Sequence, residues 1–98
     1  MKAQSVALVT GSSSGIGFET SLLLARNGYH TYASMRNLGK SKTITEIANR
    51  EKLPLPVIQL DVDDDKSVKD AIYRIENEQG RIDVVVNNAG YLLIGPLE

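Results

Sequence analysis

The sequence predicts an α/β protein built on a doubly wound parallel sheet. Two observations carry this. Apolar residues alternate along the chain between strand-like runs and helix-like stripes, in the order βαβαβαβ. A glycine-rich turn, Thr10-Gly11-Ser12-Ser13-Ser14-Gly15-Ile16-Gly17, joins the first strand directly to the first helix. Strands separated by helices run parallel, with right-handed crossovers. The glycine turn then falls at the carboxyl end of the first strand, where such a sheet keeps its ligand crevice. The expected strand order is 3-2-1-4, that of a Rossmann-type sheet seen in its N-terminal part.

Each element has its own signal. Ser5 to Thr10, centred on Val6-Ala7-Leu8-Val9, is a short continuous apolar run and reads as a buried strand. Phe18 to Arg26 reads as a helix, with Ile16, Thr20, Leu23 and Asn27 on one stripe widened by Leu22 and Leu24. Asn27-Gly28 ends it, since glycine suits the left-handed position after a helix. His30 to Met35 is the second strand, and Asn37 to Lys40 a loop. Ile44, Ile47 and Ala48 carry a second helix, with Thr43 and Glu46 expected as a capping box. Pro54 and Pro56 stop it, and Val57 to Leu60 follows as the third strand. Asp63 to Asp65 head a third helix, where acidic side chains suit the helix dipole. Val68, Ala71, Ile72 and Ile75 form its core stripe, Gly80 closes it, and Ile82 to Val86 is the fourth strand.

Composition narrows the function. Ninety-eight residues make one small domain, with 42% hydrophobic and 23% charged residues. A net charge of −1 gives nucleic acid or an anionic membrane no purchase. Without cysteine there are no disulfides and no thiolate metal sites. The apolar runs are too short to span a bilayer, and the N-terminus does not read as a signal peptide. The expected location is cytoplasmic. Asp61, Asp63, Asp64 and Asp65 lack the spacing and glycine of a calcium loop, so no metal site is expected. His30 has no sequence partner and reads as a packed or surface residue.

The glycine turn carries the chemistry. Bare backbone N–H groups at a helix N-terminus, with the helix dipole behind them, bind phosphate. The spacing Gly11-x-x-x-Gly15-x-Gly17 differs from the usual dinucleotide fingerprint. It resembles the T-G-x-x-x-G-x-G signature of the classical short-chain dehydrogenases/reductases. Asn87-Asn88-Ala89-Gly90, directly after the fourth strand, resembles that family's N-N-A-G, and Asp61-Val62 follows the third strand where the family contacts adenine. The resemblance covers the whole chain. It implies that Gly11, Ser13, Ser14, Gly15 and Ile16 hold the phosphates and adenosine ribose, and that Gly17 lets helix pack on sheet. It implies that Asp61 and Val62 flank adenine, with Asn88, Ala89 and Gly90 along the nicotinamide half. Taken alone, Asp61 also fits a helix cap, and the two asparagines also fit a turn or a tie between strands.

The second strand ends Ser34-Met35-Arg36-Asn37. A carboxylate at this point usually binds the ribose hydroxyls of NAD. Here Met35 takes that position and Arg36 follows, and a guanidinium can pair with a 2′-phosphate in bidentate fashion. NADP(H) is therefore expected over NAD(H). Ser14 departs from many NADP-preferring members, which carry a basic residue just before the second glycine.

Family chemistry uses a tyrosine and a lysine four apart, with an upstream serine. Tyr29, Tyr32, Tyr73 and Tyr91 are followed four residues on by Ala33, Arg36, Asn77 and Gly95, so none gives this motif. No catalytic residue is assigned, and the chain alone is expected to be inactive. The resemblance implies hydride transfer between nicotinamide and a carbonyl or alcohol, in a steroid- or retinol-dehydrogenase-like subclass. The alternative is a non-catalytic nucleotide-binding fragment or interaction module. Ile82 to Val86 would form an apolar sheet edge, through which self-association is expected.

Overall fold

The computed structural model describes residues 4–13 and 15–88. Eight elements follow in order: β1 (Val6–Val9), α1 (Gly15–Arg26), β2 (His30–Met35), a 3₁₀ turn (Leu38–Lys40), α2 (Lys42–Glu51), β3 (Val57–Gln59), α3 (Asp65–Gln79) and β4 (Val84–Val86). The strands form one sheet in the order β3-β2-β1-β4. All three pairings are parallel, with Val6 opposite His30, Ala7 opposite Val84 and Ala33 opposite Val57. The chain winds outward from β1 to β3, then returns to the far side of β1. That reversal makes the end of β1 the switch point of the sheet. No helix among the described residues is long and apolar enough to cross a membrane.

Strand alternation divides the core between two faces. Val6, Leu8, Tyr32 and Ile58 point to one face and pack with Ala71 and Ile75 of α3. Ala33 and Met35 point to the other and pack with Leu22 and Ala25 of α1 and Ile44 and Ala48 of α2. Tyr32 is buried, and its hydroxyl donates to Glu78 at 2.7 Å. The side of α1 that meets the sheet differs from the expected stripe. Ile16 and Leu23 are 73% and 62% exposed; Leu22 is buried as expected, but its buried companions are Gly17, Ser21 and Ala25. Small residues win this face because α1 starts tight against the loop that feeds it.

The helix ends show what tertiary context adds. Asp64 caps α3 through its carboxylate, which accepts from the Lys66 amide at 3.0 Å. Gly80, at φ +77°, closes the same helix in the left-handed region. The expected Thr43–Glu46 capping box does not form. The 3₁₀ turn runs on through Ser41, whose backbone is already helical, so α2 begins at Lys42 without a side-chain cap. Thr43 therefore sits inside the helix, where its hydroxyl has no cap to make.

Asp83 aligns β4 with β1. Its carboxylate accepts from the Val6 amide at 2.7 Å, and its own amide donates to the Val6 carbonyl at 2.8 Å. Hydrogen bonds from Arg81, and then from Val6, hold this carboxyl below its ordinary value. A depressed carboxyl stabilises the fold above its unfolded pKa of about 3.9, and the contribution fades as pH falls through the folded value. Asp83→Asn should therefore lower stability at neutral pH and flatten the loss of stability below about pH 4. Denaturation midpoints measured from pH 7 to pH 2 check this; an unchanged acid slope counts against it.

Candidate nucleotide-binding cleft

The loop after β1 is tied to both neighbouring strands. The Thr10 amide donates to Val86 of β4 at 3.0 Å, and the Ser12 amide to Ser34 of β2 at 2.9 Å. The Thr10 hydroxyl donates to Asn87 Oδ1 at 3.0 Å and accepts from the Asn88 amide at 2.9 Å. The loop thus rides on the two strands that flank the switch point. Gly11 and Gly15 both sit at φ +63°, where a side chain would be strained.

Gly17 has a different reason. A Cβ there would collide with the Gly11 carbonyl and stand 2.9 Å from Asn88 Nδ2. The glycine signature and Asn88 therefore lie side by side, as a shared site requires. Beside Gly15, by contrast, a Cβ would meet nothing within 4 Å. The loop leaves open space at the very start of α1, where the first amides have no intrahelical acceptor.

A cleft of about 290 Å³ opens at the carboxyl ends of β1, β2 and β3. Gly11 and Ser13 form one wall, Met35 and Arg36 a second, and Leu60 to Asp63 a third. Five expected residues, Gly11, Ser13, Arg36, Asp61 and Val62, meet here. Gly15 and Ile16 lie exposed at the start of α1, and Asn88 lies across β1 at the Thr10 hydroxyl. Ser14, Ala89 and Gly90 fall outside the described residues. Sequence reasoning missed Leu60 and Asp63 as cleft walls; their closeness to Asp61 was the available signal.

Asp61 is not the cap of α3, since Asp64 has that role. Its carboxylate accepts from the Asp63 amide at 3.0 Å, and its own amide donates to the Ser67 hydroxyl at 2.9 Å. These bonds hold the turn so that residues 61–63 line the cleft. Among the described residues the Arg36 guanidinium makes no hydrogen bond or ion pair, and it is the only cation on the cleft wall. A larger groove of about 600 Å³ runs along β3 and α3 and shares Arg36 and Asp61. Its other cations are engaged, Lys66 with Asp70 and Arg74 with Glu78.

The family model for short chain dehydrogenases matches residues 5–98. The chain belongs to the short-chain dehydrogenase family. It is 46% identical over 101 residues to retinol dehydrogenase 8 of Homo sapiens, covering 98% of this chain and 31% of that protein. It is 42% identical over 102 residues to human 17-beta-hydroxysteroid dehydrogenase type 1, covering 98% and 30%. The chain thus spans about a third of the length of these curated relatives. Among solved structures, a short-chain dehydrogenase/reductase from Burkholderia xenovorans superposes with a TM-score of 0.84 at 28% identity, over 95% of this chain and 37% of that one. An actinorhodin polyketide ketoreductase variant solved with NADPH superposes with a TM-score of 0.81 at 29% identity, over 89% and 33%.

Proposed function

We propose that this short-chain dehydrogenase chain is the NADP(H)-binding part of an oxidoreductase. The observation that carries the reading is Arg36: among the described residues its guanidinium is unpaired and is the sole cation of the cleft, lining the same space as Ser13 and Gly11. A 2′-phosphate seated there would gain charge-assisted hydrogen bonds that a 2′-hydroxyl lacks. The residues present fit such a cofactor. Gly15 leaves room for close approach, and the free amides at the start of α1 suit a diphosphate. Gly11, Ser13, Ser14, Gly15 and Ile16 would hold the phosphates and ribose. Asp61 and Val62 would flank the adenine, and Asn88, Ala89 and Gly90 would run along the nicotinamide half.

When bound, the cofactor supplies or accepts a hydride. This chain's residues bind it, orient it and keep its phosphates paired. The hydride partner in the whole protein would be a carbonyl or alcohol, of the steroid or retinoid kind in view of the relatives above. Titrating the full-length protein with NADPH and NADH should show NADPH bound about ten- to a hundredfold more tightly, the worth of one charge-assisted pair. Equal affinities, or a preference for NADH, reject the NADP(H) assignment.

The same proposal includes the edge of the sheet. Val84, Val85 and Val86 are half-buried, and among the described residues β4 pairs only with β1. A strand paired on one side only presents unpaired N–H and C=O groups along its other edge. The free side of β4 would pair with a second copy when this chain is isolated. Sedimentation of residues 1–98 should show association that rises with concentration; a monomer throughout argues against it.

A further inference from the structure

We propose that Ser21, four residues beyond the glycine signature, acts with Ser12 as a positioning residue for the phosphate-binding loop. This rests on the reading that the loop holds the diphosphate of a nicotinamide cofactor. Both side chains are wholly buried, at 0% exposure. The Ser21 hydroxyl donates to the Gly17 carbonyl at 2.8 Å and lies 3.0 Å from Ser12 Oγ. Ser12 Oγ lies 3.0 Å from the Val9 carbonyl, which also accepts from the Ser34 hydroxyl at 2.8 Å. A chain of hydroxyls therefore runs beneath the loop, from β2 past the last residue of β1 to the first turn of α1.

Each hydroxyl has one proton to give. Ser34 spends its proton on Val9 and Ser21 on Gly17. With Ser21 committed to Gly17, Ser12 makes the Ser12–Ser21 bond by donating to Ser21, and the Val9 carbonyl keeps the Ser34 hydroxyl as its donor. The Ser12 amide is also used, by the Ser34 carbonyl. Ser12 thus faces wholly downward, and the loop turns Gly11 and Ser13 toward the cleft. The Gly17 carbonyl is held at a fixed offset from the end of β1, and with it the first amides of α1. A shift of about 1 Å in those amides would spoil their alignment with a diphosphate.

Packing alone does not call for these hydroxyls. Replacing both partners of a buried hydrogen bond by apolar groups of similar shape is nearly neutral for stability. An alanine pair would fill this helix face at little cost in folding. What the serines add is geometry.

The test uses the full-length protein with Ser12→Ala, Ser21→Ala, the double variant and Ser21→Cys. Cysteine keeps the side-chain shape with a somewhat larger atom but donates weakly, and it carries the test should an alanine variant fail to fold. Each single variant should weaken cofactor binding about tenfold, as expected for loss of one buried partner. The double variant should be no weaker than the worse single one, because the two act through one link. The cofactor KM should rise with kcat at saturating cofactor unchanged. Unchanged cofactor affinity alongside a lowered thermal midpoint overturns the role, as do losses that simply add. The parent's own titration decides the cofactor reading separately, since the ratio of variant to parent can be taken with whichever cofactor the parent prefers. A parent that binds neither rejects both.

Discussion

Gly17→Ala is expected to destabilise the fold and abolish cofactor binding together. Two effects of opposite sign compete at this position. Replacing glycine by alanine inside a helix ordinarily stabilises by about 0.5–1 kcal/mol. Here the added Cβ would strike the Gly11 carbonyl and lie 2.8 Å from its carbon, and these two nearest atoms are backbone, with the Asn88 side-chain amide third at 2.9 Å. Forcing a methyl into a packed site costs about 1–3 kcal/mol, and the Gly11 carbonyl, unlike the Asn88 side chain, cannot swing aside. The clash wins, so the net loss should be about 1–2 kcal/mol by chemical unfolding. Relief can come only by moving the loop off the start of α1, which pulls Gly11 out of the cleft wall. Gly15→Ala is the contrast. It meets no atom within 4 Å, so only its left-handed backbone is strained, at about 1–2 kcal/mol. If Gly17→Ala unfolds at the parent's denaturant concentration and binds NADPH as the parent does, the contact between helix and loop is not what holds the site.

The contrast between these glycines shows what a sequence can disclose. The strands were legible because a parallel sheet buries both faces, so Val6-Ala7-Leu8-Val9 and the valines of β4 stand out as continuous apolar runs. Strand order followed from the alternation of elements. The cleft was legible because a doubly wound sheet gathers its strand ends at one place, which brings Gly11, Arg36 and Asp61 together from far apart in sequence. The helix faces were less so. Hydropathy points Ile16 and Leu23 inward on α1, yet where the helix meets the loop, at Gly17 and Ser21, only small residues fit, and Leu22 alone of the large expected residues is fully buried. Gly17 and Ser21 take that face, and Ile16 and Leu23 are pushed out. A serine at 0% exposure has no hydropathy signal; its burial is a consequence of which partners surround it. Asp83 was hidden for the same reason, because its pairing with Val6 spans 77 residues.

Arg36→Asp should reverse the cofactor preference without disturbing the fold. Arg36 is exposed and its guanidinium bonds to no described residue; its one bond, the carbonyl accepting from Gln59 Nε2 at 3.2 Å, is made by the backbone and survives substitution, so replacement should change stability by less than about 0.5 kcal/mol. Its effect on the cleft is much larger. The wall already carries two carboxylates, Asp61 and Asp63, against the one guanidinium. Replacing that guanidinium leaves the described wall wholly anionic. A 2′-phosphate would lose a charge-assisted pair worth about 1.5–3 kcal/mol and meet added repulsion of about 1 kcal/mol in a solvated site. NADPH affinity should fall about a hundred- to a thousandfold. NADH carries no phosphate there, and a new carboxylate can accept from its ribose hydroxyl, so its affinity should hold or rise. Arg36→Lys keeps the charge but loses the planar fork, and should fall between the two. The discrimination should also shrink as salt is added, because the site is open to solvent. Retention of NADPH affinity in Arg36→Asp would leave the 2′-phosphate with no cation on the described wall to meet it, and the NADP(H) assignment would fall.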